Sequence, residues 1–243
     1  MSTTIRTPGR LGNYIIRNIA ISLLAEKYNL YCTYGYHSEI NKLGIILFCG
    51  KNNYKQSLSI NNNNYLNLYN SKKKLEFNLN PCRDYFQTEQ ITNLIHNYLK
   101  SDKIKNNIIN INKYSNRYNY NNDLFIHIRL SDAKNYNVGI NYYLKCINNL
   151  KYNNIYVASV SLNDNLIKNL IKKYPKIILI NYNEIDTIHF GSTCKYIILS
   201  HGTFSAIIGY LAFYSIIYYP NSIPKWCPID LFTNKGWNGV DIQ

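Results

Sequence analysis

The sequence lacks the features that mark several common protein classes. Its six cysteines form no C-x-x-C pair, which argues against a zinc ribbon or a dithiol redox motif. It has no run of 18 apolar residues, no signal-peptide pattern and, although rich in Asn, no N-x-S/T sequon. These absences favour a soluble protein in a reducing setting, the cytoplasm or the interior of a host cell, without stable membrane insertion.

Acidic residues are also scarce, because 13 Asp and Glu stand against 27 Lys and Arg, for a net charge of +14. Such a charge, together with 25 Tyr, is typical of proteins that bind single-stranded nucleic acids. We expect no nucleic-acid partner, since no arginine-rich helix or nucleic-acid-binding signature occurs. The abundant Lys, Asn, Ile and Tyr all have A/T-rich codons, which explains the composition without a partner.

The second half of the chain alternates predicted strands with predicted helices. The strands are predicted at 123–128, 154–159, 176–181, 196–199 and 216–219. The helices are predicted at 141–150, 163–173, 185–194 and 203–214. This alternation is typical of a parallel sheet with helical crossovers.

The first half is less regular, with long segments rich in Asn. Helices are predicted at 14–28 and 88–100, a strand at 43–49 and a loop or an irregular insertion at 51–74. The segment 105–122 is again rich in Asn and Tyr, and a domain boundary is predicted within it. We therefore predict an α/β protein with an N-terminal domain, 1–115, and a C-terminal domain, 116–243.

The segment FIHIRLSD, Phe125 to Asp132, begins as a buried strand and ends in charged residues. Open α/β sheets bind ligands beyond the carboxyl ends of their strands, so charges at such an end indicate a ligand site. The planar guanidinium of Arg129 suits an anion such as phosphate, which it binds through two hydrogen bonds. A strand followed by a salt-bridged loop has the same pattern, and the segment alone does not separate the two interpretations.

Three further segments have residues suited to a bound anion or its surroundings. GRLGNYIIRNIA, from Gly9, places glycines before a helix, where backbone N–H groups point at a ligand. DYFQTEQ begins at Asp84. In CKYIILSHGTFSAIIGYLA, from Cys194, a strand ends at Ser200 and hydroxyl residues open a helix, as in phosphate-binding turns. Ordinary helix capping by Ser and Thr is the structural alternative.

In this order, the four segments resemble the α-1,2-fucosyltransferases, which are inverting enzymes of glycosyltransferase family 11. That family has G-x-L-G-N-Q, G-Y-F-Q-S-E, H-x-R-R-x-D and S-x-[ST]-F-[SG] motifs. The resemblance runs from Gly9 to Trp237, and Asp230 and Leu231 match the family's D-[LI]…W ending. Each motif is moderately specific, whereas four in the same order form a stronger signal. Protein O-fucosyltransferases share the first, third and fourth motifs more distantly.

The resemblance implies a GT-B-like fold, with two Rossmann-like halves and a cleft between them. Residues 1–115 would form the acceptor side, and residues 116–243 would bind the nucleotide-sugar. It implies a metal-independent enzyme without a cofactor that transfers a 6-deoxyhexose, most simply L-fucose from GDP-fucose, to a glycan hydroxyl. Two alternatives stay open: another donor, such as a nucleotide-linked rhamnose, and a non-catalytic protein that binds glycans or nucleotides.

The resemblance also implies roles for individual residues. Arg129 would hold the donor diphosphate and stabilise the leaving group. The other residues expected to bind the donor are Gly12, Asn13, His127, Asp186, Thr203, Phe204 and Ser205. A purely structural role is the alternative for His127, and helix capping is the alternative for Asp186.

The general base is less clearly indicated than the donor site. Asp132 is the carboxylate inside the third motif, and Glu89 in the second motif is another candidate. A transition state with strong oxocarbenium character would need no strong base. The chain also departs from the family: Leu130 replaces the second arginine of H-x-R-R-x-D, Ser131 a glycine, and Tyr14 the glutamine after G-N. These departures bear on the identity of the donor sugar more than on the fold.

Overall fold

The computed structural model divides the chain into two compact units, Met1–Asn107 and Ile108–Gln243. The residues that the structure describes are 1–5, 9–81, 84–130, 135–222 and 224–242. Within these ranges, none of the helices combines the length and the apolar character that crossing a bilayer requires.

The first unit is mainly helical, with short pairs of strands. Its helices are α1 (Leu11–Tyr28), α2 (His37–Lys42), α3 (Asn62–Asn70), α4 (Glu89–Lys100) and α5 (Asp102–Ile111). Its strands are β1 (Ser2–Thr3), β2 (Cys32–Thr33), β3 (Ser57–Ser59) and β4 (Asn78–Asn80). Strand β1 pairs with β2 and β3 pairs with β4, in both cases in parallel. Most residues of α1 are buried, so this helix forms the centre of the unit.

The second unit is built around one parallel sheet. In order along the chain, its strands are β5 (Leu124–His127), β6 (Ile155–Ala158), β7 (Ile177–Ile180), β8 (Tyr196–Ile198), β9 (Ile216–Pro220) and β10 (Asn238–Val240). Its helices are α6 (Ile140–Ile147), α7 (Asn165–Lys173), α8 (Glu184–Gly191) and α9 (Thr203–Tyr210). Among the described residues, these six strands pair side by side, and each pairing is parallel. The predicted α/β class is confirmed, and only β10 has no counterpart in the sequence prediction.

The order of the strands contains a reversal at the centre of the sheet. Across the sheet the order is β10-β9-β8-β5-β6-β7, so β5 pairs with β6 on one side and with β8 on the other. This is the order of doubly wound nucleotide-binding folds, which bind ligands outside the carboxyl ends of the strands where the order reverses. The residues that follow β5 and β8 therefore occupy the position where such a sheet builds a ligand site.

The residues of β5 and those just after it belong to the core of the second unit. Leu124, Ile126, Ile128 and Leu130 alternate along the chain and enter one hydrophobic cluster with α6 and α7. Alternate residues of an extended chain point to the same side, so Leu130 continues the buried row and is only 2% exposed. The position where the resembled family has its second arginine is thus a core position in this chain, while the neighbouring Arg129 is only partly buried.

The prediction of a strand at 43–49 is wrong. The structure shows an unpaired segment, in which Gly44 takes a positive φ of 77° just after α2. Leu43, Ile45 and Leu47 are nevertheless buried. The apolar pattern therefore predicts the burial correctly, whereas it cannot reveal whether a neighbouring strand is present to pair with the segment.

The prediction of a loop or an irregular insertion at 51–74 misses two regular elements, β3 and α3. The N-terminus of α3 is closed by a capping box, in which Asn61 and Asn64 bond each other's backbone N–H groups. Tyr65 is fully buried, and its hydroxyl donates to the carbonyl of Ala20. Capping and one buried tyrosine thus stabilise a helix in a segment whose composition favours a loop.

Helix α5 is a further element that the composition conceals, since Asn has a low helix propensity. Ile104 and Ile108 lie one turn apart and are buried, and Asn107 donates a hydrogen bond to the carbonyl of Gly44. Packing therefore overrides propensity. The helix runs across the boundary between the units, which falls after Asn107, whereas the sequence places a boundary after residue 115.

Replacement of Leu130 tests its place in the core. We expect Leu130→Arg to lower the free energy of unfolding by about 3–5 kcal/mol, because an unpaired guanidinium would be buried. Leu130→Met, which conserves volume, should cost less than about 1.5 kcal/mol. Urea unfolding of the two variants measures the difference. Equal stability would show that the side chain at 130 faces solvent.

Candidate functional site

The candidate site lies at the carboxyl ends of β5 and β8, where the strand order reverses. His127 is the last residue of β5 and is buried, and Arg129 follows two residues later. From the neighbouring strand, the chain passes through Ser200 and Gly202 into α9. Two of the four segments noted in the sequence, the third and the fourth, are therefore adjacent in space.

Gly202 brings the guanidinium of Arg129 against the start of α9. It is the N-cap residue of that helix and has φ 95°, a conformation that residues with a side chain rarely adopt. A Cβ atom at this position would lie 2.2 Å from Nη1 of Arg129. The guanidinium charge and the partial positive charge of the helix N-terminus are therefore neighbours, an arrangement suited to an anion.

A hydrogen-bonded network below this surface joins the two strand ends. The Oγ of Ser205 accepts from the backbone N–H of Ser200 at 2.9 Å and lies 2.9 Å from Nδ1 of His127. Ser205 is fully buried, so its hydroxyl contacts protein groups. Thr203 and Phe204 of the same helical turn are only partly buried, and the Phe204 ring lies 5.2 Å from the His127 ring. The structure thus gives Ser205 a linking position and leaves Thr203 and Phe204 at the surface.

His127 is a neutral residue at ordinary pH. Burial is the largest cause that lowers the pKa of the imidazole, the nearby charges of Arg129 and His201 act in the same direction, and together they bring it to about 3. The ring therefore contributes a hydrogen bond and shape to the site but no positive charge. The positive side chain at this strand end is Arg129.

An aromatic residue that the sequence did not indicate completes the site. Cζ of Arg129 lies 5.0 Å from the centre of the Trp226 ring, which is a cation–π distance. The rings of His201 and Tyr136 lie 5.2 and 6.0 Å from the same indole. Trp226 is 97 positions from Arg129 along the chain (226 − 129) and belongs to none of the four segments, so no local pattern connects the two residues.

Cys227 fixes the turn that carries this tryptophan. Its Sγ accepts a hydrogen bond from the backbone N–H of Gly202 at 3.1 Å. Burial raises the pKa of the thiol to about 11, so it is protonated at neutral pH. The bond joins the turn around Trp226 to the N-terminus of α9, and thus to the position of Arg129.

Asp186 lies at the third position of α8, and Asn183 is the N-cap of that helix. Asn183 donates to Oδ2 of Asp186 at 3.1 Å and accepts from its backbone N–H. Oδ1 of Asp186 forms a 2.8 Å salt bridge with Lys113, which raises the pKa of the lysine. Both carboxylate oxygens of Asp186 therefore have protein partners, which favours a structural role for this residue.

The first and second segments meet inside the first unit. Gly12 and Asn13 lie in the first turn of α1, and Oδ1 of Asn13 accepts from Nε2 of Gln87 at 3.2 Å. Arg17, one turn further, donates to the carbonyl of Asp84 and lies 4.8 Å from the centre of the Tyr85 ring. These contacts connect α1 to the segment that leads into α4.

Phe86, in the middle of the second segment, has an unusual backbone conformation. Its φ is 56°, which is rare for a residue with a bulky side chain. The ring is fully buried and packs against Tyr65 at 5.5 Å. Packing of the ring therefore holds the strained backbone, and the strain sets the direction of the chain between Tyr85 and Gln87.

The structure describes one of the two candidates for a general base. Asp132 lies outside the described residues. Glu89 is the first residue of α4 and is partly exposed. In the part of the chain that the structure describes, no group of three or more His, Cys, Asp or Glu is close enough to hold a metal ion.

A separate cavity of about 620 Å³ lies in the first unit, between the end of α1 and the loop after α3. Its lining is rich in Asn and Lys and includes the run Lys72, Lys73 and Lys74. These lysines are exposed, which agrees with a solvated loop. None of the residues predicted to bind a donor lines this cavity.

No family model and no curated protein matches the chain. It is similar to a crystal structure of NodZ α-1,6-fucosyltransferase soaked with GDP-fucose, at 12% sequence identity and a TM-score of 0.38. The alignment covers 62% of this chain and 57% of that chain, so it spans little more than half of either protein.

Substitution of Gly202 tests the contact between Arg129 and α9. We expect Gly202→Ala to displace the guanidinium and to weaken binding of inorganic pyrophosphate, measured by calorimetry. Backbone strain should also lower stability by about 1–3 kcal/mol. Gly139→Ala is the matched control, because Gly139 is likewise the N-cap residue of a helix with positive φ but its Cβ would meet nothing within 4 Å. Equal pyrophosphate binding by the two variants would contradict the assignment.

His127 predicts a characteristic pH dependence of stability. Between about pH 6.5 and pH 3, the unfolded chain binds a proton that the folded protein excludes, so this contribution to stability is present above about 6.5 and is lost as the pH falls. We expect wild type to lose more stability than His127→Asn between pH 7 and 4, by up to about 1.4 kcal/mol per pH unit. Urea unfolding at several pH values measures both proteins. If stability depended on pH in the same way in both proteins, His127 would not be a buried neutral residue.

Proposed function

We propose that the chain is a glycosyltransferase that transfers a 6-deoxyhexose from a nucleoside diphosphate donor, most simply L-fucose from GDP-fucose, to a hydroxyl of a glycan. The observation that carries this proposal is the position of Arg129. Its guanidinium lies against the N-terminus of α9, at the point of strand reversal where doubly wound sheets bind nucleotides. The order of the four sequence segments favours this enzyme class over other nucleotide-binding proteins.

In the proposed reaction, the acceptor oxygen forms a bond with C1 of the donor sugar while the bond from C1 to the terminal phosphate oxygen breaks. The nucleoside diphosphate leaves with both electrons of that bond. Arg129 and the first backbone N–H groups of α9 would stabilise the charge that develops on the diphosphate. Neutral His127 would hold the strand end through Ser205, and no metal ion would be needed.

The acceptor hydroxyl must also lose its proton. Asp132 and Glu89 are the proposed recipients, and a late proton transfer to water is the alternative if the transition state resembles an oxocarbenium ion. We propose inversion at C1, as the resemblance implies, because the acceptor oxygen displaces the diphosphate in a single step without a covalent intermediate.

Two residues bear on the identity of the donor sugar and of its nucleobase. Residue 130 is a leucine in the core, and this chain therefore has one arginine where the resembled family has two. The carboxylate of Asp186 is bonded to Lys113 and Asn183 and is therefore not available to bind the nucleobase of the donor. These two observations favour a donor other than GDP-fucose as the second candidate, with the same reaction. They also keep a non-catalytic nucleotide-binding protein as an alternative.

Kinetics of an Arg129 variant test the proposed role. We expect Arg129→Ala to lower the rate of transfer or hydrolysis of the nucleotide-sugar by about 10²–10³-fold, because the leaving group loses its stabilising charge. Lys172→Ala is the matched control, since it removes one positive charge from the exposed surface of α7. Its rate should equal that of wild type.

A panel of GDP-, UDP- and dTDP-linked 6-deoxysugars decides between the donors. Preference for UDP or dTDP would replace GDP-fucose by the second candidate. If no donor were turned over, the proposed glycosyltransferase activity would be refuted. Unchanged binding and turnover in Arg129→Ala would refute the proposed site.

A further inference from the structure

Trp226 is a large aromatic side chain whose position the protein core does not explain. It lies on a turn after β9 and is 44% exposed. Its neighbours are the guanidinium of Arg129 and the rings of His201 and Tyr136. Tyr136 is itself 54% exposed. An indole left this open to water forgoes the free energy of burial that most tryptophans gain, and exposed aromatic surface of this kind often marks a ligand site.

The other tryptophan of the chain provides a contrast. Trp237 packs against Tyr210 and Phe232, and its ring fills the space over Gly209, where a Cβ would lie 2.6 Å from the indole. It therefore serves the packing of α9. Trp226 instead contacts the charged group that is proposed to bind phosphate.

The distances limit which parts of a bound donor can reach the indole. A phosphate oxygen held by Arg129 would lie about 2.8 Å from a guanidinium nitrogen. Because Cζ of Arg129 is 5.0 Å from the centre of the indole, a group bonded directly to that phosphate is within reach of the Trp226 ring. In a nucleoside diphosphate sugar, the transferred sugar is bonded directly to the terminal phosphate, whereas the base is separated from the phosphates by the ribose.

We infer that Trp226 is a specificity-determining residue that packs its indole against the apolar C–H face and the C6 methyl group of the donor sugar. This inference rests on the proposed function and deepens it. The negative face of an aromatic ring attracts polarised C–H groups, and a methyl group gains from leaving water. A sugar with a hydroxyl at C6 would place that hydroxyl against the indole without a partner. Tyr136 lies at the edge of the same aromatic surface.

Binding measurements separate contact with the sugar from contact with the base. The ligands are GDP, GDP-fucose and GDP-L-galactose, and the proteins are wild type, Trp226→Ala, Trp226→Phe and the control Trp237→Phe. We expect Trp226→Ala to weaken GDP-fucose binding about tenfold, while its affinity for GDP changes less than about twofold. Trp226→Phe keeps an aromatic face and should restore most of the loss. The preference for GDP-fucose over GDP-L-galactose should fall in Trp226→Ala alone.

Tryptophan fluorescence gives a second, direct measurement. The chain has two tryptophans, so Trp237→Phe leaves Trp226 as the single indole and Trp226→Phe leaves Trp237. In Trp237→Phe, GDP-fucose should change the emission strongly and GDP weakly. In Trp226→Phe, neither ligand should change it. Thermal unfolding of each variant verifies that it is folded.

Three outcomes overturn the inference while donor binding itself stands. Equal loss of GDP and GDP-fucose affinity in Trp226→Ala would place the base, not the sugar, against the indole. Unchanged affinity for both would show that Trp226 does not contact the donor. An unchanged preference for GDP-fucose over GDP-L-galactose, which differs from it only by a hydroxyl at C6, would show no selection at C6. Failure of wild type to bind any nucleotide or nucleotide-sugar is distinct, since it would overturn the proposed function and this inference with it.

Discussion

The pairing of β5 with β6 on one side and β8 on the other is the constraint on which the site depends. It places the residues after β5 and the start of α9 side by side at the carboxyl edge of the sheet. Gly202 then lets the guanidinium of Arg129 approach backbone where any Cβ would collide with it. The guanidinium and the positive end of the helix both suit an anion, and we propose that the ligand of this site is anionic.

Buried and exposed residues have different tasks around this contact. Beneath the surface, Ser205 bonds both His127 and the backbone of Ser200, and so fixes α9 to the two strand ends. The low pKa of His127 keeps this network uncharged and compatible with the core. At the surface, Arg129 and Trp226 remain accessible, and they provide charge and an aromatic face. The rigid network holds the groups that we propose to contact the donor.

The sequence predicts the second unit well because continuous apolar strands and amphipathic helices leave clear patterns, as in the buried residues of β5. It fails where stability comes from contacts rather than composition: α3 depends on an Asn capping box, and α5 depends on two buried isoleucines. Within the site, the adjacency of Arg129 and Gly202 follows from strand order, which the motifs suggest. Trp226 belongs to no motif, and only the fold brings it to Arg129.

Binding of a diphosphate by Arg129 and the N-terminus of α9 is the step on which the proposed function depends. A crystal structure of the chain with GDP tests this binding. We expect phosphate oxygens within about 3 Å of the Arg129 guanidinium and of the first backbone N–H groups of α9. GDP bound elsewhere, with Arg129 still stacked on Trp226 and no phosphate beside it, would refute the proposed site.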